Sequence, residues 1–320
     1  MVGTFIPRSD RDNPPLVILL LKVFTYYLIM MWDTIAANIT QVTGEKFEIA
    51  NSRSVSGGCI NHGNSISDGK RTYFVKINRA SEVEMFEAEA LGVQQMWNTQ
   101  TIRVPKPICW GTAENSAYLV LEWLNLSGGG GESAWEKMGQ KLAALHRQGT
   151  MKQFGWERNN TIGSTPQINT WTEDWIAFFT EHRIGYQLRL AARKGMRFSG
   201  GERLLEKIPS LLAGHDPQPS LVHGDLWGGN ASVTTEGEPV IFDPATYYAD
   251  REVDIAMTEL FGGFSQAFYR GYHAVWALDS GYNRRKNLYN LYHILNHFNL
   301  FGSGYAGQAE RMIQQLLKIS

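Results

Sequence analysis

Apolar and polar positions along this chain change rhythm twice, and the change points divide it. Leu16 to Met31 is almost wholly apolar, with Lys22 its one charge. From Trp32 to Thr43 apolar residues recur at helical spacing (Ile35, Ala36, Ile39, Val42) and predict a helix. Short strand-like runs follow. Phe47 to Val55 reads as a strand, Gly57-Gly58 breaks it, and Gly63 to Ser67 reads as the return strand. Asp68-Gly69 then reads as a hairpin turn and Arg71 to Ile77 as the next strand. Ser81 is expected to cap a helix from Glu82 to Trp97. Val104-Pro105-Lys106-Pro107 reads as an extended link and Ala117 to Trp123 as a buried strand. Ser127-Gly128-Gly129-Gly130-Gly131 reads as a flexible hinge.

After Glu132 the period becomes helical. Trp135, Met138, Leu142 and Leu145 lead to His146, and Trp171 to Arg193 and Gly200 to Leu212 are further helical segments. Glu252 to Phe261, Phe264 to Trp276, Arg284 to Phe298 and Ala306 to Ile319 complete the set. The pattern predicts an α+β, bilobal chain: an apolar extension over 1–30, a small β-rich N-lobe over 31–124 and a larger helical C-lobe over 125–320. A nucleotide would sit in the cleft between the lobes.

Composition narrows the field. The 320 residues are 43% hydrophobic, enough for a sizeable core. The formal net charge is −1 and no long basic run is present, so nothing points to nucleic acid. The two cysteines, Cys59 and Cys109, form neither a disulfide framework nor a zinc knuckle and suit a reducing cytosol. The apolar run is short for a spanning helix, which needs about 20 residues. Arg8 and Arg11 precede it as in a secretory signal, but bulky Met30-Met31-Trp32-Asp33 follows in place of a cleavage site. A start at Met30 or Met31, or a loose membrane tether, is preferred to secretion. Membrane contact is expected only if 16–31 is expressed, and a cytoplasmic location is expected because the chemistry below needs ATP.

That chemistry lies in His223-Gly224-Asp225-Leu226-Trp227-Gly228-Gly229-Asn230, followed by Ile241-Phe242-Asp243-Pro244. An Asp, an Asn five residues on and a second Asp thirteen beyond are the groups kinase-type phosphoryl transfer needs. One carboxylate takes the proton of a substrate hydroxyl; an amide oxygen and a second carboxylate hold Mg²⁺. Strands Ala231 to Val233 and Val240 to Phe242, joined by a turn at Glu236-Gly237-Glu238-Pro239, would bring Asn230 and Asp243 to one end. A lone His-Gly-Asp could equally be a turn; the whole run with its second Asp is much harder to explain that way.

Other positions fit a nucleotide site. Lys76 ends the strand Tyr73-Phe74-Val75-Lys76, where a kinase lysine holds the α- and β-phosphates; alone it would read as an edge-strand lysine. Glu87 and Glu89 are candidates to fix it, and Glu89 is chosen because Val93 and Met96 mark an inward stripe. Gly57, Gly58 and Cys59 lie in a loop whose N–H groups could cradle phosphates, although a plain hairpin turn fits equally. Glu122, Trp123 and Leu124 follow the strand that reaches the hinge, where backbone groups could meet adenine; ordinary linker is the alternative. Asp254 reads as a buried carboxylate holding the catalytic loop.

The His-Gly-Asp-Leu-Trp-Gly-Gly-Asn run closely resembles the signature of the fructosamine kinases, or ketosamine-3-kinases, of the aminoglycoside-phosphotransferase-like branch of the protein-kinase-like fold. Phe74-Val75-Lys76-Ile77-Asn78, Met85-Phe86-Glu87-Ala88-Glu89-Ala90 and Asp254 to Phe264 look like the same family, and the likeness runs from about Met31 to the C-terminus. It implies ATP-dependent phosphorylation of the third-carbon hydroxyl of ketosamines, either small molecules or glycated protein lysines. It also implies Asp225 as base, Asn230 and Asp243 as Mg²⁺ ligands and Lys76 as phosphate clamp. Trp227 and His223 would face the substrate, with Trp227 a wall against the sugar; Trp227 could equally be core. Cys59 is a redox candidate: a thiol among N–H dipoles could oxidise, even to a disulfide-linked homodimer, or be simply a small buried residue. Two other readings stay open, a phosphotransferase for another hydroxylated amine such as an aminoglycoside, and a non-catalytic ATP-binding or redox sensor.

Overall fold

The computed structural model describes residues 16–55, 61–127 and 129–319. Helix α1 (Leu16–Thr43) runs unbroken through the apolar stretch and the amphipathic one, where a helix is expected only from Trp32. Among the residues of α1 whose burial is described, packing begins at Met31. Met31, Ile35, Ala36 and Ile39 repeat at helical spacing and are buried, whereas Ile29 and Met30 are exposed. Among the described residues no helix is long and apolar enough to cross a membrane.

Five antiparallel strands make the N-lobe sheet: β1 (Asn51–Val55), β2 (His62–Ser67), β3 (Thr72–Arg79), β4 (Pro107–Ala113) and β5 (Ser116–Glu122), in the order β1-β2-β3-β5-β4. The ladder to β2 begins at Asn51, opposite Ser67, so the strand expected from Phe47 is shorter. Period-two alternation sorts the faces. Tyr73 and Val75 of β3 join Tyr118 and Val120 of β5 in a core under α1. Phe74, Leu119 and Leu121 pack instead with Phe86 and Ala90 of helix α2 (Val83–Thr99). Lys76 shares the Phe74 face, so the pleat turns it toward α2. Ser81 does not cap this helix: a 3₁₀ turn (Ala80–Glu82) precedes it, and neither start carries a side-chain cap. Strand β4 has no counterpart in the pattern-based reading. Pro107 and Gly111 interrupt its alternation, and its ladder to β5 holds it.

Past the hinge, α3 (Glu132–Gln148), α4 (Trp175–Phe178), α5 (Tyr186–Arg193), α6 (Gly201–Leu211), α7 (Glu252–Leu260), α8 (Gln266–Val275), α9 (Tyr282–Phe301) and α10 (Ala306–Lys318) build the C-lobe. The segment expected to be one helix from Trp171 starts only at Trp175, where Asp174 accepts a cap bond from the Ala177 N–H at 2.6 Å. A π-helical turn (Phe179–Gly185) then joins α4 to α5. Helices α3 and α8 touch backbone to backbone. A Cβ on Gly139 would lie 2.0 Å from the Phe268 carbonyl oxygen, and one on Gly271 would lie 2.0 Å from that of Glu136. Three short antiparallel pairs complete the lobe: β6 (Asn160–Ile162) with β7 (Thr165–Gln167), β8 (Ser220–Val222) with β11 (Tyr247–Ala249), and β9 (Ala231–Val233) with β10 (Pro239–Ile241). The C-lobe core also takes Ala88, Val93 and Met96 from α2, so one helix is packed into both lobes.

Candidate active site

Strand β8 delivers the candidate catalytic loop and α7 holds it. The Asp254 carboxylate accepts from the His223 N–H at 2.7 Å and the Gly224 N–H at 2.8 Å. His146 of α3 lies 3.1 Å from the same carboxylate, and its other ring nitrogen is 2.8 Å from the Tyr272 hydroxyl. Burial works against the Asp254 charge, but His146, His223 and the Gly224 N–H keep its pKa low. Gly224 has φ +81°, and a Cβ there would meet the Ala245 carbonyl oxygen at 2.2 Å, so only glycine makes this corner.

Asp225 follows, half-buried. Burial, with the Asp243 and Asp254 charges adding to it, pushes its carboxyl up to about 7, against a hydrogen bond from Asn230. Asn230 ends a 3₁₀ turn (Gly228–Asn230) and donates its amide N–H to the Asp225 carbonyl at 2.9 Å. The amide oxygen is then the atom left for a cation. The β9–β10 hairpin returns the chain, the Phe242 N–H donates to the Asn230 carbonyl at 3.0 Å, and Asp243 stands beside Asn230 with φ +62°.

Lys76 closes the site from above. Its ammonium donates to Glu89 at 2.7 Å and also to Asp243. Burial opposes the ammonium, yet the two carboxylates hold its pKa above the usual lysine value. Burial also pushes Glu89 up to about 7, against the pull of Lys76 and helped by Asp243. Asp243, despite its burial, is lowered by Lys76. An amide oxygen and a carboxylate beside a lysine form a hard-oxygen donor set of the kind Mg²⁺ takes together with phosphate oxygens.

One expected role fails. His223, read as a substrate residue, is wholly buried. Its Nε2 donates to the Phe242 carbonyl at 2.9 Å and its Nδ1 accepts from the Asp225 N–H at 3.3 Å. Burial lowers its pKa, and the neutral ring bridges the catalytic loop to the hairpin instead of facing the cleft. Glu122, read as a hinge contact for adenine, donates its N–H to the Lys106 carbonyl at 2.8 Å and places its carboxylate on Arg103 and the Lys106 N–H, so of its backbone groups only the carbonyl can serve that reading. Trp123 and Leu124 remain, and with Asn125, Leu126 and Thr235 they line an open cavity of about 480 Å³. Gly57, Gly58 and Cys59 lie outside the described residues. The other cysteine, Cys109, is buried, and burial pushes its thiol up to about 12.

Trp227 is 41% exposed, and its indole lies over Gly229, where a Cβ would come within 2.3 Å. A feature missed by motif reading adjoins it. Gly228 packs on Gly262 and Gly263, and next to them exposed Phe261 begins an aromatic ridge: Phe261 to His297 at 5.1 Å and His297 to Tyr305 at 5.1 Å between ring centroids. No short spacing links these positions; only the Gly262-Gly263 pair hinted at a close approach.

The family model described as fructosamine kinase matches residues 31–319. The chain belongs to this family. A Synechocystis protein described as a probable ketoamine kinase is 58% identical over 288 residues, 90% of this chain and 97% of that one. The chloroplastic protein-ribulosamine 3-kinase of Arabidopsis thaliana is 43% identical over 281 residues, covering 86% and 85%. A Haemophilus somnus crystal structure assigned as a fructosamine-3-kinase superposes with TM-score 0.86 at 32% identity, covering 91% of this chain and 99% of its own. A mutant aminoglycoside phosphotransferase APH(4)-Ia, in ternary complex with AMP-PNP and hygromycin B, gives 0.58 at 14% identity, covering 89% and 99%. The latter is a likeness of fold, and the fold of this fructosamine kinase family member is protein-kinase-like.

Proposed function

We propose that this kinase uses ATP to phosphorylate the third-carbon hydroxyl of ketosamines, on small amines or on glycated protein lysines, and so releases the amine. The observation that carries the reading is Asp225, half-buried and pushed up to about 7, next to Asn230 and close to Asp243, which itself takes the ammonium of the Lys76–Glu89 pair. A base with a pKa near the working pH takes a hydroxyl proton effectively without being locked in its protonated form. In this mechanism Asp225 accepts the proton of the attacking hydroxyl as its oxygen closes on the γ-phosphorus. Lys76, oriented by Glu89, holds the nucleotide phosphates. Asn230 and Asp243 would hold Mg²⁺, whose charge offsets that building on the transferred phosphoryl group. Trp227 offers an exposed aromatic face to the C–H surface of a sugar.

The product explains the release of the amine. Phosphate leaves more readily than hydroxide beside an enolisable carbonyl, so the enolised adduct expels phosphate from carbon 3, and water hydrolyses the imine left at carbon 1 to the free amine and a 3-deoxy dicarbonyl sugar. The name of the Arabidopsis relative, a protein-ribulosamine 3-kinase, supports a ketosamine as the substrate class. Phosphorus NMR of ribulose-lysine after Mg-ATP turnover tests the position. A phosphate coupled to the carbon-3 proton, then lost as free phosphate with lysine released, is expected. A stable ester at the terminal carbon would contradict it.

A further inference from the structure

Protein kinases fix the segment after their metal-binding Asp with a regulated loop; here the chain turns from Asp243-Pro244 straight into β11. Something else must hold residues 244–246. A buried amide cluster lies against them. Gln167 of β7 donates to the Ala245 carbonyl at 3.0 Å and to the Asn160 side-chain oxygen at 2.9 Å. Asn160 of β6 donates to the Thr246 carbonyl at 2.8 Å. The Tyr292 hydroxyl of α9 donates to the Gln167 oxygen at 2.7 Å. Asn169 donates to Asn160 at 2.8 Å and accepts from Arg183 at 2.8 Å. Arg183 sits in the π-helical turn, fully buried, its guanidinium 4.0 Å from the Tyr247 ring centroid.

The same segment carries α2. A Cβ on Gly92 would lie 2.8 Å from the Thr246 hydroxyl, so the helix bearing Glu89 rests directly on Thr246. Trp156 to Gln95 at 2.9 Å and Arg158 to Glu87 at 3.0 Å tie the adjoining C-lobe loop to that helix. Amides with both donors and acceptors used make a rigid network.

We infer that this cluster, with Asn160 and Gln167 at its centre, is a positioning device that fixes Asp243 for the metal without an activation segment. It rests on the reading of Asp243 as a Mg²⁺ ligand. Partners that orient a ligand typically govern metal affinity by 10–100-fold.

The test is calorimetric titration of ADP into the full chain with and without Mg²⁺, the readout being the tightening that Mg²⁺ adds. Asn160→Ala is expected to cut that increment roughly tenfold while metal-free ADP binding stays unchanged. Asn160→Asp keeps the acceptor for Gln167 and Asn169 but not the donor to Thr246, and is expected to match Asn160→Ala. A full increment in either folded variant, or an equal loss with and without Mg²⁺, overturns the inference. If Asn160→Ala does not fold, Gln167→Met, which removes the donor to the Ala245 carbonyl, must show the same selective loss; an intact increment there also overturns it. A parent chain with no Mg²⁺ dependence overturns the metal reading and this inference together.

Discussion

Asp254→Asn changes one oxygen beneath the catalytic loop into an amide nitrogen and leaves the side-chain volume alone. Three donors converge on the Asp254 carboxylate: the N–H groups of His223 and Gly224 and the ring of His146. His223 and His146 share one oxygen and Gly224 takes the other. In the best orientation the asparagine oxygen keeps the first two, and its NH₂ then points at the Gly224 N–H. One charge-assisted bond is lost, about 1.5–3 kcal/mol, and a buried donor is left unsatisfied. The cost is about 3 kcal/mol, or about 4–5 °C in melting temperature for a chain of 320 residues at about 2.1 cal/mol/K of unfolding entropy per residue. Gly224 is also the corner that aims Asp225, so kcat should fall on the order of 100-fold from misplacement. The Asp254 charge is one of the influences that raise Asp225, so the acidic limb of the pH–rate profile should move to lower pH. Thermal melts and kcat/KM against pH check all three. A variant with parental melting temperature and an unmoved limb would refute the idea that Asp254 carries the loop.

Three further outcomes follow from single contacts. With Asp225 pushed up to about 7, kcat/KM for the sugar should rise with pH through that region and then level; a limb confined below pH 5 would contradict a buried base. His215 lies 2.6 Å from Asp250 and 3.2 Å from Asp279, and although burial opposes it, Asp250 and then Glu252 raise its pKa. A raised folded value stabilises fully below the unfolded one, near 6.5, and the gain is lost as pH rises through the folded value. His215→Gln should therefore lower the melting temperature more at pH 6 than at pH 9, and the reverse order would be inconsistent. Gly139→Ala places a methyl 2.0 Å from the Phe268 carbonyl oxygen and should force α3 and α8 apart, with a loss on the order of 3 kcal/mol or more in urea melts.

The site was legible where its geometry is local. The run from His223 to Asn230 and the hairpin to Asp243 span few residues, so spacing alone forecast that Asn230 and Asp243 would meet. Glu89 was separable from Glu87 because Val93 and Met96 show which face of α2 is inward; Glu87 in fact turns to Arg158. That Lys76 faces α2 follows from the pleat of β3 once the sheet is seen, and was not read from the sequence. Long-range partners leave no such trace. Nothing local says that His223 will be used up by Phe242, or the Glu122 carboxylate by Arg103 and Lys106. The amides of Asn160, Gln167 and Asn169 read as ordinary loop residues until the fold packs them under Ala245 and Thr246. Three-residue strands such as β8 and β11 are too short for any period to register. The substrate class rested on family resemblance, since neither composition nor periodicity distinguishes one hydroxylated amine from another.

Mg-ATP turnover on ribulose-lysine, fructose-lysine and kanamycin, measured in parallel for the parent chain and Asp225→Asn, tests the proposed chemistry most directly. Turnover of a ketosamine that falls by at least about 100-fold in Asp225→Asn, with ATP still bound, is the expected result. Turnover of kanamycin alone, or a ketosamine rate that survives the substitution, would contradict it.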